Sequence, residues 1–367
     1  MRVLELGAVV LAILAAVAPF SASFIERWFS GLVYPTIQRV MTSATNVVPL
    51  AVLDVLLLAA IVTLVIALVR GTRSAWRARR PAPLVRVLAH LAAAAAVVYL
   101  AFLITWGFNY RRVPMSQRLV VAAESPSNDD VVALGLRATG EINRLRDEAH
   151  RIGWVGDEWR DAHLRAAFAG VQLALGDAPP AVPGRVKRSV LGPYFRWTGV
   201  DGMINPFGLE VLANPDLLPF ERPFVAAHEW AHLAGYADEA EANFVGWLTA
   251  LRADLPAQYS AWLYLFWQVS GEVGQNDRAR LLAALEPGPR RDVDAIAERL
   301  RRGRWPMLQM AGWAVYDQYL KANRVDEGIR SYGEVLTLIL RARFEDGWTP
   351  VRRDGPPVRT DATGPSR

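Results

Sequence analysis

The sequence predicts an α+β, mostly helical chain: an N-terminal three-helix membrane segment, then a larger domain in which a small β-sheet precedes a helix bearing two histidines. Three observations predict this. Three nearly uncharged apolar runs crowd into the first 107 residues. From Val182 to Asn214, glycines and prolines break up short β-forming runs. Directly afterwards, Ala227-His228-Glu229-Trp230-Ala231-His232 contains the pattern H-E-x-x-H in a helix-forming setting.

The apolar runs are Leu4 to Phe20, Val47 to Val69 and Val87 to Trp106. Each is near or above the roughly 18–20 residues that a helix needs to cross a bilayer. Spans are therefore expected at about 4–23, 47–69 and 87–107, forming a membrane domain over 1–107. Only Arg2 precedes the first run, a weak n-region for a signal peptide, so it reads as a retained helix. Asp54 and His90 lie near span starts, where membrane ends are wet, and neither is assigned a function.

Between the second and third runs stand Arg70, Arg73, Arg77, Arg79, Arg80 and Arg86 with no acid among them. Such a loop stays cytoplasmic. The N-terminus is then cytoplasmic, and residues 108–348 form an extracytoplasmic domain of a multi-pass cell-membrane protein, with the lipid bilayer as a partner. Arg111 and Arg112 oppose this orientation but are outnumbered by the six loop arginines.

The net charge of +5 does not signal nucleic acid. Of 41 basic residues only Lys187 and Lys321 are lysine, leaving 41 − 2 = 39 arginines, a bias of composition with no basic run interleaved with aromatics. No nucleic-acid partner is expected. Cysteine is absent, which excludes disulfides and thiolate metal ligands.

In the larger domain, Asp129 to Ile152 and Glu158 to Leu175 read as amphipathic helices. Arg185 to Val190, Tyr194 to Thr198 and Leu209 to Leu212 read as strands. Such a sheet either holds an extended peptide along its edge, with Glu210 and Asn214 as contact candidates, or packs behind the helix. Further helices are expected over Asn243 to Ala253, Pro256 to Val273, Asp277 to Leu285, Asp292 to Arg301 and Trp305 to Asn323. Trp262 to Trp267 is heavily aromatic and reads as core, or else as surface leaning on lipid. Residues 349–367, rich in proline and charge, read as a disordered tail.

The chemistry concentrates at H-E-x-x-H. Four residues apart on one helix, His228 and His232 project from the same face and can hold one zinc ion. Glu229 then stands beside the metal as general base toward its water. Pro223 suits the first helical turn and Gly235 the stop. Beyond lie two acids, Glu239 and Glu241, either able to be a third ligand. Asp238 and Glu241 also have capping-box spacing, which would occupy Glu241.

Glu239-Ala240-Glu241-Ala242-Asn243 resembles the E-x-x-A-D/N element of gluzincin metallopeptidases. That resemblance selects Glu239 as the zinc ligand and Asn243 as the residue orienting a ligand histidine. The six residues between His232 and Glu239 are fewer than most gluzincins have.

A wider resemblance covers nearly the whole chain to about Arg343. It is carried by His228 to Phe244, Val315 to Asn323, Gly328 to Tyr332, and Gly202 to Glu210. On these segments the chain resembles bacterial membrane proteins catalogued as domain of unknown function 3810, expected to be zinc metallopeptidases. The resemblance implies a zincin-like domain that hydrolyses peptide bonds of extracytoplasmic proteins or peptides. An oxyanion donor is also needed, and Tyr332, Arg330 and Tyr236 are candidates, with Tyr332 chosen. The alternatives are a catalytically silent zinc scaffold and a zinc hydrolase of a cell-wall amide or lipid-linked substrate.

Overall fold

The computed structural model describes residues 3–303, 305–310 and 334–353, together with 312, 314 and 318. Tyr332, Arg330 and most of the Val315 to Asn323 element lie outside the described residues.

The chain is mostly helical, as expected, with two small sheets. The first apolar run is helical only over α1 (Val3–Val17). Pro19 has no N–H with which to continue it, and Ser21 starts α2 (Ala22–Val47) by accepting from Phe24 N at 3.2 Å. The two helices meet at a 110° bend, so three straight spans are not what the fold provides. Two helices are long and apolar enough to cross a membrane, α3 (Val52–Ala78) and α4 (Ala82–Thr105); the bent pair makes a third if it counts as one span. α1 runs alongside α4 in the same direction. Glu5 meets His90 at 3.0 Å near their starts, and Arg111 donates to Ala15 O and Ala16 O at their ends.

α2 is a departure from the expected membrane segment. Its Ser30, Tyr34, Gln38, Thr42 and Asn46 recur every fourth residue and hydrogen-bond into the larger domain. Ile25–Val33 is π-helical and Tyr34–Val47 α-helical, and in both a spacing of four keeps residues on one face.

In the larger domain, α5 (Asn128–Ile152) is opened by a capping box between Ser127 and Asp130. It packs along α10 (Leu255–Glu272), while α6 (Ala162–Leu175) lies behind the histidine-bearing pair α8 (Arg222–Leu233) and α9 (Glu239–Leu251). Phe168, Trp230, Trp247, Tyr259 and Phe266 form the buried centre, and Trp262 joins them rather than facing lipid.

The main sheet has order β1-β3-β2. β1 (Val186–Lys187) is parallel to β3 (Glu210–Ala213), and β2 (Gly202–Asn205) antiparallel to it. Tyr194 to Thr198, expected as a strand, is instead part of helix α7 (Gly192–Thr198). Pro193 fits its first turn and Gly199, at φ 73°, ends it, so local punctuation overrides the β-propensity of the aromatic run. α11 (Gln275–Ala283), α12 (Pro287–Gly303) and α13 (Glu334–Arg341) follow.

The start of the expected tail is ordered. β4 (Phe344–Glu345) pairs with β5 (Thr349–Pro350), and Val120 N donates to Val351 O at 2.8 Å. Residues 354–367 lie outside the described residues.

Candidate metal centre

α8 begins with Pro223 in its first turn and ends where Gly235, at φ 89°, reverses the chain. Asp238 caps α9 by accepting from Glu241 N at 3.0 Å. The pair then packs at backbone distance: a Cβ on Gly246 would stand 2.9 Å from both N and Cα of His228. Only glycine allows that approach, and it brings the first turn of α9 level with the histidines.

His228, His232 and Glu239 converge. Glu239 Oε2 lies 3.6 Å from Nε2 of each histidine, and one ligand atom from each residue lies within 4.8 Å of the others. A tetrahedral zinc with bonds of roughly 2.0–2.1 Å requires donors about 3.3 Å apart, close to the two 3.6 Å separations from Glu239. The imidazole rings are 4.7 Å apart and nearly perpendicular. Glu241, the rival third ligand, turns away to accept from Met115 N at 2.6 Å.

Neighbouring groups orient His232 most firmly. His232 Nδ1 donates to Tyr236 O at 2.8 Å, turning Nε2 toward Glu239. Asn243 stands beside His228, and its amide favours the charged ring, although Nδ1 has no hydrogen bond of normal geometry. Trp106, just past α4, donates its indole N–H to His232 O at 3.0 Å.

The centre is nearly closed to solvent. Glu229 is 2% exposed, and its Oε2 has no partner. Burial, reinforced by Glu239, pushes its carboxyl up to about 8. Burial holds His228 down at about 3. Burial also opposes charge on His232, but the Glu239 carboxylate outweighs it and raises the ring to about 9. β2 touches this corner: a Cβ on Gly202 would come 2.5 Å from Glu229 Oε1.

Other expected site residues are elsewhere. Tyr236 directs its hydroxyl to Asp177, which also pairs with Arg112 and Arg118. Glu210 is buried with Lys187, and Asn214 donates to Val200 O; neither is an edge contact. Conversely, Tyr264 of α10 was hidden in the aromatic run. Its ring stacks on Phe224 at 3.6 Å between centroids, and Phe224 lies one turn ahead of His228. The Tyr264 hydroxyl is buried without a hydrogen-bond partner, and burial together with the Glu239 charge raises its pKa. Its sequence signal was only its helical distance from Ser260, which accepts from Phe224 N.

The geometry thus unites two histidines, a carboxylate, a second, buried carboxyl and an unpartnered phenol. Residues 29–340 match one family model, described as a protein of unknown function (DUF3810). No curated protein and no solved structure matches the chain.

Proposed function

Because the chain belongs to the DUF3810 family, whose description assigns no chemistry, we propose from the site itself that it is a membrane-anchored zinc metallopeptidase cutting extracytoplasmic proteins or peptides. The observation that carries this is the convergence of His228, His232 and Glu239 with Glu229 buried beside them. His228, His232 and Glu239 would hold the zinc. When bound, zinc supplies the Lewis acidity that lets water ionise near neutral pH.

The chain's own residues supply the rest. Glu229, kept basic by burial, takes the proton from the attacking water and returns it to the departing amide nitrogen. The backbone at Gly202 fixes that carboxylate, because no side chain intervenes. Tyr264 supplies the hydroxyl that donates to the oxyanion, the role assigned on sequence to Tyr332. Among the described residues β2 pairs with β3 on one side only, so its other edge is open to an extended peptide passing Glu229.

The same reading sets α1, α3 and α4 in the membrane, with the N-terminus and the arginine loop cytoplasmic and the metal domain outside. The parallel course of α1 and α4 supports it, since it brings the N-terminus to the loop's side.

The test is zinc content and peptide hydrolysis by the purified protein beside Glu229→Gln. One zinc in both, with hydrolysis by wild type and a loss of about 100-fold or more in the variant, is the expected result. Zinc in both without hydrolysis by either leaves the silent scaffold, and no zinc in wild type ends the metal reading.

A further inference from the structure

The long helix α2 has two opposite faces, and only one is explained by the domain. On the inner face Ser30 donates to Asn109 Oδ1 at 2.8 Å and Tyr34 to Leu233 O at 2.8 Å. Gln38 both donates to Val182 O and accepts from Val182 N. Thr42 donates to Leu209 O, and Asn46 bonds Pro183 O and Arg185 N. Every polar side chain of this stripe is spent on the metal domain.

The outer face is exposed and largely apolar, with Thr36 and Ser43 among its polar members. Phe24, Trp28, Leu32, Val40 and Val47 are 47%, 50%, 58%, 63% and 81% exposed. Trp28 and Leu32 lie two residues from Ser30 in the π-helical stretch Ile25–Val33, and Val40 two from Thr42 in the α-helical Tyr34–Val47; in either geometry two residues are about half a turn. Arg27 and Arg39 are exposed as well. The only acid of α2, Glu26, is turned inward to Arg112. An apolar face edged by arginines is the pattern of a helix lying in a bilayer interface.

Its surroundings identify the occupant. α2 leaves α1 at 110°, so when α1 stands in the membrane α2 runs nearly along its surface. The exposed apolar surface continues onto both membrane-length helices at the same end: Val55, one turn into α3, is 60% exposed, and Ile104, at the end of α4, 55%. Those ends are fastened to the domain too, through Val52 N and Leu53 N to Glu210 and through Trp106 to His232 O.

We propose that α2 lies in the outer bilayer interface as a seat for the metal domain, and that the site therefore acts on polypeptide segments held close to the membrane surface. The depth follows from contact. Tyr34 on the inner face touches Leu233, the residue after His232, so about one helix diameter (roughly 10–12 Å) separates the site from lipid. An extended chain crosses that height in about four residues. The substrate class is then a membrane-anchored protein cut a few residues outside its anchor. The seat stands on its own observations, whereas the substrate class rests on the peptidase reading.

The chain has no cysteine, so Trp28→Cys, Leu32→Cys and Val40→Cys each give one site for a fluorophore in reconstituted vesicles. Asp147→Cys on α5, 94% exposed, is the aqueous reference. Shallow nitroxide lipids are expected to quench the three α2 labels at least threefold more than the reference. Equal quenching overturns the seat.

For the substrate, one cleavable sequence is placed 8 or 40 residues from a transmembrane anchor in the same vesicles. Effective concentration falls with about the −3/2 power of tether length, so the short tether is expected to be cut about tenfold faster. Equal rates overturn the substrate class with the peptidase reading intact. Failure of wild type to cut at both spacings and to cut free peptide overturns the peptidase reading and the substrate class with it, while the quenching result decides the seat.

Discussion

Two carboxylates flank the sheet, both buried, and they differ in one respect that separates structure from chemistry. Glu210 is 0% exposed, and every side of it is answered: Lys187 Nζ at 2.7 Å, Asn205 Nδ2 at 3.0 Å, and the backbone N–H groups of Val52 and Leu53 at 3.0 and 2.8 Å. Glu229 is 2% exposed, and its Oε2 is answered by nothing. Nearby, His228 Nδ1 and the Tyr264 hydroxyl also lack partners. A buried polar group without a partner costs about 1–3 kcal/mol, and three such groups gather in this corner. Glu210 locks the first membrane-length helix to the strands; Glu229 has no such partner on Oε2.

The comparison breaks most visibly at Lys187. Its ammonium also donates to Leu50 O at 3.1 Å, so Lys187→Ala strands a carboxylate in the interior and frees the turn before α3. The expected loss is about 3–5 kcal/mol of stability, read by chemical denaturation, because the remaining charge has no water to reach. Pairing Lys187→Met with Glu210→Gln removes both charges and is expected to restore most of it. Zinc stoichiometry is expected to stay the same in the paired variant. If Lys187→Ala unfolds no more easily than wild type, Glu210 is not the lock described.

At the metal corner, the two acids of α9 are expected to separate. Glu239→Gln is expected to weaken zinc binding more than about 100-fold, beyond the range of losses seen when a supporting residue is changed. Glu241→Gln is expected to bind zinc like wild type and to lose only about 1 kcal/mol, since it touches Met115 N rather than the histidines. Zinc titration against a competing chelator measures both. The opposite pattern would move the third ligand to Glu241.

Tyr264→Phe tests the unpartnered phenol. It removes one oxygen and keeps the stacking on Phe224. Turnover is expected to fall about 100-fold with zinc content unchanged. The same variant is expected to lose most of its affinity for a tetrahedral phosphonamidate peptide, measured by calorimetry, which a packing role would not alter. Unchanged turnover and affinity would remove Tyr264 from the mechanism.

What was legible in the sequence was what is local. His228, Glu229, His232 and Glu239 lie within twelve residues; spacing places the histidines on one helical face, and the gluzincin resemblance selects Glu239 over Glu241. The apolar runs of α3 and α4 are equally local. The inner stripe of α2 was not legible, because serine, tyrosine, glutamine, threonine and asparagine at every fourth position do not form a hydrophobic pattern. The stripe acquires meaning only against residues more than 70 positions away, such as Asn109, Val182 and Leu233. On sequence Glu210 is only a candidate edge contact, because its partners, Val52 and Lys187, are brought to it by the fold. Tyr264 looked like core for the same reason that Trp262 and Phe266 are core. A phenol that packs and a phenol that reacts differ only in what lies beyond the oxygen.

Acid and base should act on the two carboxylates in opposite senses, the effect that bears most directly on the comparison. Burial raises the Glu210 carboxyl, but Lys187 and the surrounding N–H donors outweigh it, so its folded value lies below the ordinary 4.5. Its stabilisation is present above about pH 4.5 and is lost as pH falls through that lower value. Glu229 has its folded value raised to about 8. In metal-free protein it therefore favours the folded state fully below about 4.5, and that contribution is lost as pH rises toward 8. The slope from one such proton is at most about 1.4 kcal/mol per pH unit. Denaturation of chelated protein across pH 3 to 9 is expected to give a falling limb on the alkaline side that Glu229→Gln flattens. It should also give an acid limb that the Lys187→Met, Glu210→Gln pair flattens instead. Were Glu229→Gln to flatten neither limb, the carboxyl would be as well satisfied in solution as Glu210, and the distinction between the two would fall.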